Sequence, residues 1–242
     1  MIHFLQQLLF YKDIVDHYLH FGREYLNDKS DSRLELTEKI PKIIHYCWFG
    51  RGEMNDTIKM CIESWHKYLP DYEFMLWNED NFPMDDYPFA RKAFKDHKWA
   101  YVSDVARLHA LYNYGGIYLD TDVEILKPLD ELLYNDSFCG FENESQLATC
   151  CIGAKKNNRY IKFLLGWYLY RNLNDIYYII ANTRIVTRLV RLYLGLKRNG
   201  TEQRFRDGVF YPREYFSPEV KDDMWNVTFN TFAIHHFTDL GK

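Results

Sequence analysis

The segment from 99 to 128, WAYVSDVARLHALYNYGGIYLDTDVEILKP, constrains the fold of this chain more than any other stretch. Apolar residues recur at helical spacing in its first half, and Ser103 is a residue type that caps the start of a helix. Gly115 and Gly116 are expected to end this helix, because glycine accepts the positive φ that helix ends often need. Ile117–Leu119 should then form a short buried strand. The segment therefore predicts a helix, a glycine turn and a strand.

Two aspartates, Asp120 and Asp122, follow this strand directly. Residues i and i+2 of a strand point the same way, so both carboxylates can converge at the strand's carboxyl end, where α/β folds bind ligands. Converging carboxylates repel unless a cation lies between them, and Mg²⁺ or Mn²⁺ suits carboxylates combined with substrate phosphates. Asp104 and Arg107 share one face of the preceding helix and can look into the same cleft. A bare Asp-x-Asp is more often a solvated turn.

The longer pattern is more specific: Ser-Asp-x-x-Arg, seven further residues, then Gly-Gly-Ile-Tyr-Leu-Asp-x-Asp. It resembles the sugar-binding DXD region of glycosyltransferase family 32, bacterial capsular and lipopolysaccharide transferases, with the clostridial glucosylating toxins as distant relatives. The resemblance implies a GT-A-type α/β fold, in which helices flank a mixed Rossmann-like sheet. This domain is expected to span 37–242, after an N-terminal helical extension at 1–36, and to contain a helical basic segment in its C-terminal half.

The same resemblance implies a set of site residues. Trp48, at the end of the first strand, is expected to stack on the nucleotide base. The residues expected to bind the nucleotide sugar are Tyr46, Trp48, Asp104, Arg107, Tyr118 and Asp120. The residues expected to act in catalysis are Asp104, Arg107 and Asp122. The expected ligands of a Mn²⁺ or Mg²⁺ ion are Asp120, Asp122 and His236, the histidine coming from a late His-His pair that the family also carries.

The reaction implied is transfer of a hexose or N-acetylhexosamine, with retention, from a nucleotide sugar that we expect to be a UDP-sugar. The acceptor would be a saccharide, free or lipid-linked, in capsule, O-antigen or other surface polysaccharide synthesis. The cation and Arg107 would stabilise the charge that develops on the leaving diphosphate. No protein nucleophile stands out, which favours a front-face mechanism. Two alternatives stay open: a toxin-like enzyme that modifies a protein, and a catalytically inactive nucleotide-sugar-binding protein.

Strand and helix patterns alternate through the rest of the chain, as in doubly wound folds. The predicted helices are 1–27, Asn55–Leu69, Asp130–Tyr134, Asn158–Leu173 and Asn182–Leu196. The predicted strands are Ile40–Phe49, Tyr72–Trp77, Phe138–Phe141, Leu147–Ala154, Val209–Tyr215 and Val227–Phe229. The polar loop Glu142–Gln146 is either an ordinary hairpin or, as in sugar transferases of this build, a loop that faces the reacting carbon.

The five cysteines show no Cys-x-x-Cys pair, so neither a disulfide framework nor a zinc site is predicted. The first ten residues lack a basic flank and make a poor signal peptide, and no apolar run is long enough to span a bilayer. These features predict a cytoplasmic protein, with peripheral contact to the inner face of the membrane as an option.

Charge is distributed unevenly. Residues 151–200 carry +9, whereas the whole chain carries −4. Arg184, Arg188 and Arg191 share one face of a predicted helix, and apolar residues share another. This face is either an ordinary solvated surface or a site of attraction to anionic lipid or a diphosphate-linked acceptor. Nucleic acid is not expected as a partner, because the chain is acidic overall and has no nucleic-acid motif.

Overall fold

A computed structural model describes residues 11–23, 26, 39–169 and 180–238. Several sequence predictions lie outside these residues: the first ten residues of the N-terminal helix, the linker at 27–32, and the end of the helix predicted to reach Leu173. Within the described residues, no helix is both long and apolar enough to cross a bilayer.

The helices and strands alternate along most of the chain. The helices are 11–23 (α1, π-helical over Tyr18–Gly22), Asp56–Tyr68 (α2), Pro88–Lys95 (α3), Trp99–Tyr114 (α4), Arg159–Leu169 (α5) and Asn182–Leu194 (α6). The first strands are Ile43–Cys47 (β1), Glu73–Trp77 (β2), Gly116–Leu119 (β3), Val123–Ile125 (β4), Ser137–Asn143 (β5) and Gln146–Ala154 (β6). The later strands are Gln203–Phe205 (β7), Gly208–Tyr211 (β8), Val220–Lys221 (β9), Met224–Trp225 (β10) and Ala233–His235 (β11).

The central sheet has seven strands in the order β2-β1-β3-β6-β5-β8-β7. β1 is parallel to both β2 and β3, whereas β6 is antiparallel to β3 and β5. Alternate residues of β3 enter two different cores: Tyr118 packs with residues of α3 to α6, and Ile117 and Leu119 pack with α2. The predicted mixed α/β sheet with helices on both faces is therefore confirmed.

Some local predictions were wrong. Ser103 does not cap α4, because the helix begins one turn earlier at Trp99, and the Ser103 hydroxyl instead donates to the Trp99 carbonyl (3.2 Å). The segment Val227–Phe229 is not a strand, and a strand predicted to reach Tyr215 stops at Tyr211. α3, β4, β7, β9, β10 and β11 were not predicted. The five missed strands have only two or three residues each, too few to show a period.

The glycine turn behaves as the sequence predicts. Gly115 caps α4 with φ 71° and Gly116 opens β3 with φ 110°, both in the region that favours glycine. A Cβ at Gly116 would lie 2.6 Å from the Ile43 carbonyl oxygen, so the turn also packs tightly against β1. His45 holds this turn through Nε2, which donates to the Gly115 carbonyl (2.7 Å), while Nδ1 accepts from the Trp77 indole (3.2 Å).

This arrangement makes folding stability sensitive to acid. Burial lowers the pKa of His45 from 6.5 to about 4, and burial lowers that of His17 to the same value. Below pH 6.5 the unfolded chain binds protons at these histidines and the native state does not. We therefore expect the free energy of unfolding to fall as the pH drops from 6.5 to about 4, by up to about 3 kcal/mol for each histidine.

Urea unfolding across this pH range would measure the effect. His45→Gln, which keeps an amide donor for the Gly115 carbonyl, should reduce the slope of stability against pH. A free energy of unfolding that stays constant over the range would contradict the prediction.

Candidate active site

The site lies at the edge of the sheet where β1 and β3, which are parallel neighbours, both end. A cavity of about 570 Å³ opens there, where α/β folds bind ligands. It is lined by residues that follow β1, by the start of α2, by one face of α4, by the end of β3 and by the C-terminal segment. The lining residues used below are Trp48, Trp99, Arg107, Tyr118, Asp120, Asp122, His235 and Thr238.

The two aspartates are brought together with a histidine by a strand pairing. β11 runs antiparallel to β4, with His235 opposite Val123 and Ile234 opposite Glu124. One ligand atom from each of Asp120, Asp122 and His235 lies within 4.8 Å of the others. His236, which the sequence predicts as a metal ligand, lies outside this cluster, and its Nε2 is 3.0 Å from a Glu124 carboxylate oxygen. Adjacent residues of an extended chain point to opposite sides, so the imidazole of His235 faces the two aspartates and that of His236 does not.

Asp122 is more buried than its place after a strand suggests. It is 4% exposed, and one carboxylate oxygen accepts from the Thr238 backbone N–H (2.9 Å) and hydroxyl (3.0 Å). The other lies 3.4 Å from His235 Nε2. Burial alone would raise its pKa, but the hydrogen bonds from His235 and Thr238 prevail and the pKa of Asp122 is lowered. Asp122 is therefore an anion that ties the C-terminal segment to the site.

The donor set fits a divalent cation of the Mn²⁺ or Mg²⁺ kind. Two carboxylates and an imidazole are ligands that Mn²⁺ accepts, and the three groups are close enough to share one ion. His235 Nδ1 is buried and has no hydrogen-bond partner among the described residues, so the ring orientation is set by its Nε2 side and by packing on Phe237. The pKa of His235 is raised to about 11, because Cys150 and Asp122 outweigh the effect of burial. The ring is therefore protonated here, and a cation that binds would have to displace this proton, because only neutral imidazole ligates a metal.

Arg107 is the buried centre of the polar network beneath the cavity. It is 5% exposed. Its guanidinium donates to the Thr149 carbonyl (2.7 Å) and lies 3.1 Å from Asp104 and 3.3 Å from Asp120. Burial would lower the pKa of Arg107, but Asp120 and Asp104 help to raise it well above its ordinary value. The Arg107 guanidinium is therefore fixed next to the carboxylate of Asp120, one of the three candidate metal ligands.

Tyr118 joins the same network from β3. Its ring lies under the Arg107 guanidinium, 4.5 Å from ring centroid to Cζ, and its hydroxyl donates to Asp120 (2.8 Å). Burial raises the pKa of Tyr118 well above its ordinary value, so the hydroxyl keeps its proton and stays a donor. Arg107 and Tyr118 together orient one oxygen of Asp120.

Of the three remaining predicted site residues, one lines the cavity and two lie outside its described lining. Trp48 is partly exposed and lines the cavity, where its indole donates to the Gly52 carbonyl (2.7 Å) and holds the loop after β1. Tyr46 and Asp104 are absent from the described lining of the cavity. Tyr46 points to the other face of the sheet and packs edge-on against Trp65 (5.4 Å). Asp104 accepts from the Asn182 amide (2.8 Å) and acts through Arg107.

The hairpin between β5 and β6 was predicted to be either an ordinary turn or a loop that faces the reacting carbon. Glu142, Asn143 and Gln146 are not among the described residues that line the cavity. Asn143 accepts from the Ser145 backbone N–H (2.9 Å), which is an ordinary turn contact. Glu142 is half-buried, and burial raises its pKa against the opposing effects of His235 and Arg213, so it lies within the electrostatic reach of the site. Gln146 faces a different depression, beside α6.

Several functional contacts were missed from the sequence. Thr149 contributes only a backbone carbonyl, and Asn182 belongs to a helix 78 residues from its partner Asp104. Thr238 contributes a hydroxyl from the C-terminal segment, where the sequence shows neither helical nor strand periodicity. The one signal in the sequence was the His-His pair, which predicts a histidine near the candidate metal site but not which of the two faces it.

The fold is that of the GT-A glycosyltransferases, and residues 55–139 match the family described as "Glycosyltransferase sugar-binding region containing DXD motif". This part of the chain contains α2, α4 and both aspartates. The solved structure of PaToxG Glycosyltransferase superposes with a TM-score of 0.50 over 80% of each chain at 16% identity, which supports the fold alone. The chain thus carries a glycosyltransferase sugar-binding DXD region on a GT-A-like sheet.

The chain is also similar to parts of several curated fungal proteins. Inositol phosphoceramide mannosyltransferase 2 of Schizosaccharomyces pombe is 34% identical over 142 residues, 51% of this chain and 41% of that protein. Mannosyl phosphorylinositol ceramide synthase SUR1 of Saccharomyces cerevisiae is 32% identical over 122 residues, 48% of this chain and 30% of that protein. The chain thus spans about two fifths or less of the curated relatives it matches. None of these matches is specific to the capsular transferases of family 32.

Proposed function

We propose that this protein is a metal-dependent glycosyltransferase that moves a hexose from a nucleotide sugar to a saccharide acceptor. The observation that carries the proposal is the convergence of Asp120, Asp122 and His235 beside the buried Arg107, inside a cavity large enough for a nucleotide. Asp120, Asp122 and His235 would hold Mn²⁺ or Mg²⁺. When bound, such an ion supplies positive charge to the diphosphate of the donor.

The protein's own residues would position the donor. Trp48 offers an aromatic face for the base at the end of β1. Arg107 stays protonated and fixes the Asp120 carboxylate, while its charge favours the diphosphate as negative charge grows. Tyr118 keeps the second contact to Asp120 as a neutral donor. Asp104 anchors Arg107 and is thus a positioning residue, and Tyr46 contributes through packing.

In the proposed step, the bond between the anomeric carbon and the β-phosphate oxygen breaks as the acceptor oxygen bonds to the same face of that carbon. The acceptor hydroxyl proton passes to the departing phosphate oxygen, so the products are a glycoside and a nucleoside diphosphate. The described cavity lining places no carboxylate beyond Asp120, Asp122 and Glu53. This supports a front-face, retaining course in which the leaving group serves as the base.

The relatives' names favour a mannosyl group and an acceptor that carries a phosphorylated inositol lipid. Capsule or O-antigen saccharides are the second acceptor class, favoured by the resemblance of the DXD string to family 32. Peripheral contact with an anionic membrane is proposed for the +9 segment, since each basic residue near such a surface contributes about 1 kcal/mol. Lipid-linked acceptors are presented at such surfaces.

Hydrolysis of free donors tests the activity without knowledge of the acceptor. We expect Mn²⁺-dependent release of UDP or GDP from one member of a panel of UDP- and GDP-sugars, among them GDP-mannose and UDP-glucose. EDTA should stop the release and added Mn²⁺ should restore it. The base of the preferred donor then decides between the UDP-sugar expected from the family 32 resemblance and a guanosine donor. Donor binding without turnover would instead indicate a catalytically inactive nucleotide-sugar-binding protein, and neither binding nor turnover with any donor would contradict the proposal.

Trp48 should control affinity for the base. Trp48→Ala is expected to weaken nucleoside diphosphate binding by about 1–3 kcal/mol, because the stacked ring is lost, and Trp48→Phe should recover part of the loss. Isothermal titration gives the affinity. Trp99→Phe, in the same cavity wall but packed against Phe94, is the matched control and should change affinity little. Unchanged affinity with a large fall in melting temperature would make Trp48 a core residue instead.

A further inference from the structure

A second depression, of about 400 Å³, lies apart from the residues that line the donor cavity. We call it the arginine groove. Its lining residues are Gln146, Thr187, Arg184, Arg188, Arg191 and Arg198. The sequence predicted three of these arginines on one helical face, and the structure adds Arg198 from the segment after α6 and Gln146 from the start of β6. The four guanidinium groups therefore surround one concave site.

Three of the four arginines of the groove have no acidic partner among the residues that the structure describes. All four arginines are exposed. In the described part of the chain, Arg184, Arg191 and Arg198 form no ion pair with a carboxylate. Arg198 donates to the Ser145 carbonyl (2.9 Å), and Arg188 donates to the Tyr11 hydroxyl (3.0 Å), both neutral acceptors. Like charges held around one depression repel, so an anion that enters it is stabilised by several of them together.

The floor of the groove is fixed. The Thr187 hydroxyl donates to the Thr183 carbonyl (2.6 Å) and accepts from the Leu147 backbone N–H (2.9 Å), which ties α6 to the start of β6. Two of the arginines are also held by hydrogen bonds to other parts of the chain, Arg188 to α1 and Arg198 to the β5–β6 hairpin. Because hydrogen bonds hold its floor and two of its arginines, the groove is suited to bind a compact anion.

Two elements join the groove to the donor side of the molecule. β6 begins in the groove at Gln146, and three residues later the Thr149 carbonyl accepts from Arg107, about 10 Å along the strand. α6 begins with Asn182, whose amide donates to Asp104, the partner of Arg107. Both connections end at the polar network around Arg107, so one strand and one helix link the groove to the donor side of the molecule.

We infer that the arginine groove binds a phosphate group carried by the acceptor. This inference rests on the proposed transferase function, because it assigns the groove to the second substrate. Guanidinium groups pair with phosphate oxygens in a bidentate manner, and four of them with the Gln146 amide offer donors from several directions. The acceptor class is thus a phosphorylated saccharide, with the phosphate borne either by a lipid headgroup or by a soluble molecule.

The test is a titration of the whole protein with inorganic phosphate, followed through the Nε–Hε NMR signals of its arginines. We expect saturable shifts confined to Arg184, Arg188, Arg191 and Arg198, with chloride at equal ionic strength producing none. The signal of Arg107 reports the donor site separately. Shifts that chloride reproduces, or that do not saturate, would overturn the inference.

A pair of variants gives the control. Arg184→Gln with Arg191→Gln should weaken phosphate binding roughly tenfold or more, because charged hydrogen bonds are lost. Lys95→Gln with Lys221→Gln removes the same charge at exposed positions on α3 and β9 and should leave the binding constant unchanged. If both double variants lost the same amount of phosphate affinity, the effect would come from net charge alone, and this result would contradict a specific site in the groove.

Two further probes identify the source of the phosphate. Soluble glycerophosphoinositol that displaces inorganic phosphate points to a free acceptor, and displacement only by phosphatidylinositol vesicles points to a lipid headgroup. Vesicles with the same fraction of phosphatidylserine that bind equally well, without saturable phosphate shifts, would make the face a general membrane contact and refute the site. Donor hydrolysis by the Arg184→Gln, Arg191→Gln protein should match the parent, so failure of the groove and failure of the transferase function are separate results.

Discussion

Asp122→Asn is expected to abolish sugar transfer while the protein stays folded. The carboxylate is buried and hydrogen-bonded to Thr238, and asparagine keeps its volume and one acceptor oxygen. What disappears is the negative charge that, with Asp120 and His235, makes the cluster suitable for a divalent cation. Mutation of a residue that only supports a metal ligand lowers metal affinity or activity about 10–100-fold. Loss of a ligand itself should therefore lower the rates of transfer and donor hydrolysis by more than about 100-fold.

The neighbouring Glu124 gives a matched control on the next strand. Glu124→Gln removes the same charge from a carboxylate that contacts His236 and lies outside the cluster, so activity should be largely kept. The histidines extend the comparison: His235→Asn should follow Asp122→Asn, and His236→Asn should follow Glu124→Gln. Kinetics with and without EDTA, beside melting curves, provide the measurement. Full EDTA-resistant activity in Asp122→Asn would exclude a metal at this position.

Arg107→Ala should cost both stability and activity. The guanidinium is buried between Asp104, Asp120 and the Thr149 carbonyl, and its removal takes the same cationic partner from both carboxylates. Breaking such a buried network costs about 3–5 kcal/mol. For a chain of this size we expect the melting temperature to fall by about 6–20 °C. Donor hydrolysis should also be lost, because Asp120 is no longer held.

Arg107→Lys separates charge from geometry. Lysine keeps a cation near Asp120 but cannot reach three acceptors at once, so it should recover part of the stability and little of the activity. Arg204→Ala is the control for stability, since Arg204 pairs with Glu202 at the surface and an exposed pair contributes about 0–1 kcal/mol. A melting temperature for Arg107→Ala that equals that of Arg204→Ala would show that the buried network does not stabilise the fold.

The arginine groove and the donor cavity divide the substrate-binding work between two parts of the chain. Residues 55–139 match the DXD family and contain most of the donor-side residues. The groove belongs to residues 146–198, which that match does not include. Relatives that share the donor region could therefore differ in acceptor, and the groove is the place in this chain where such a difference would be found.

The sequence by itself determined the segment from α4 to Asp122. Helical spacing, two glycines and a short apolar run each act over a few residues, so their consequences can be derived locally. The glycine turn followed from φ angles that only glycine adopts easily, and Gly115 and Gly116 have them. The alternation of strand and helix patterns, which are also local, predicted the mixed sheet.

The tertiary structure alone decided which histidine meets the aspartates. That choice depends on the register of β11 on β4, between residues more than a hundred positions apart, and a shift by one residue would exchange His235 for His236. Long-range pairing also decided that Asn182 holds Asp104, that Thr149 holds Arg107 and that Tyr46 turns away from the cavity. Local pattern fixes which residues can form an element, whereas packing between distant elements fixes which side chains share a site.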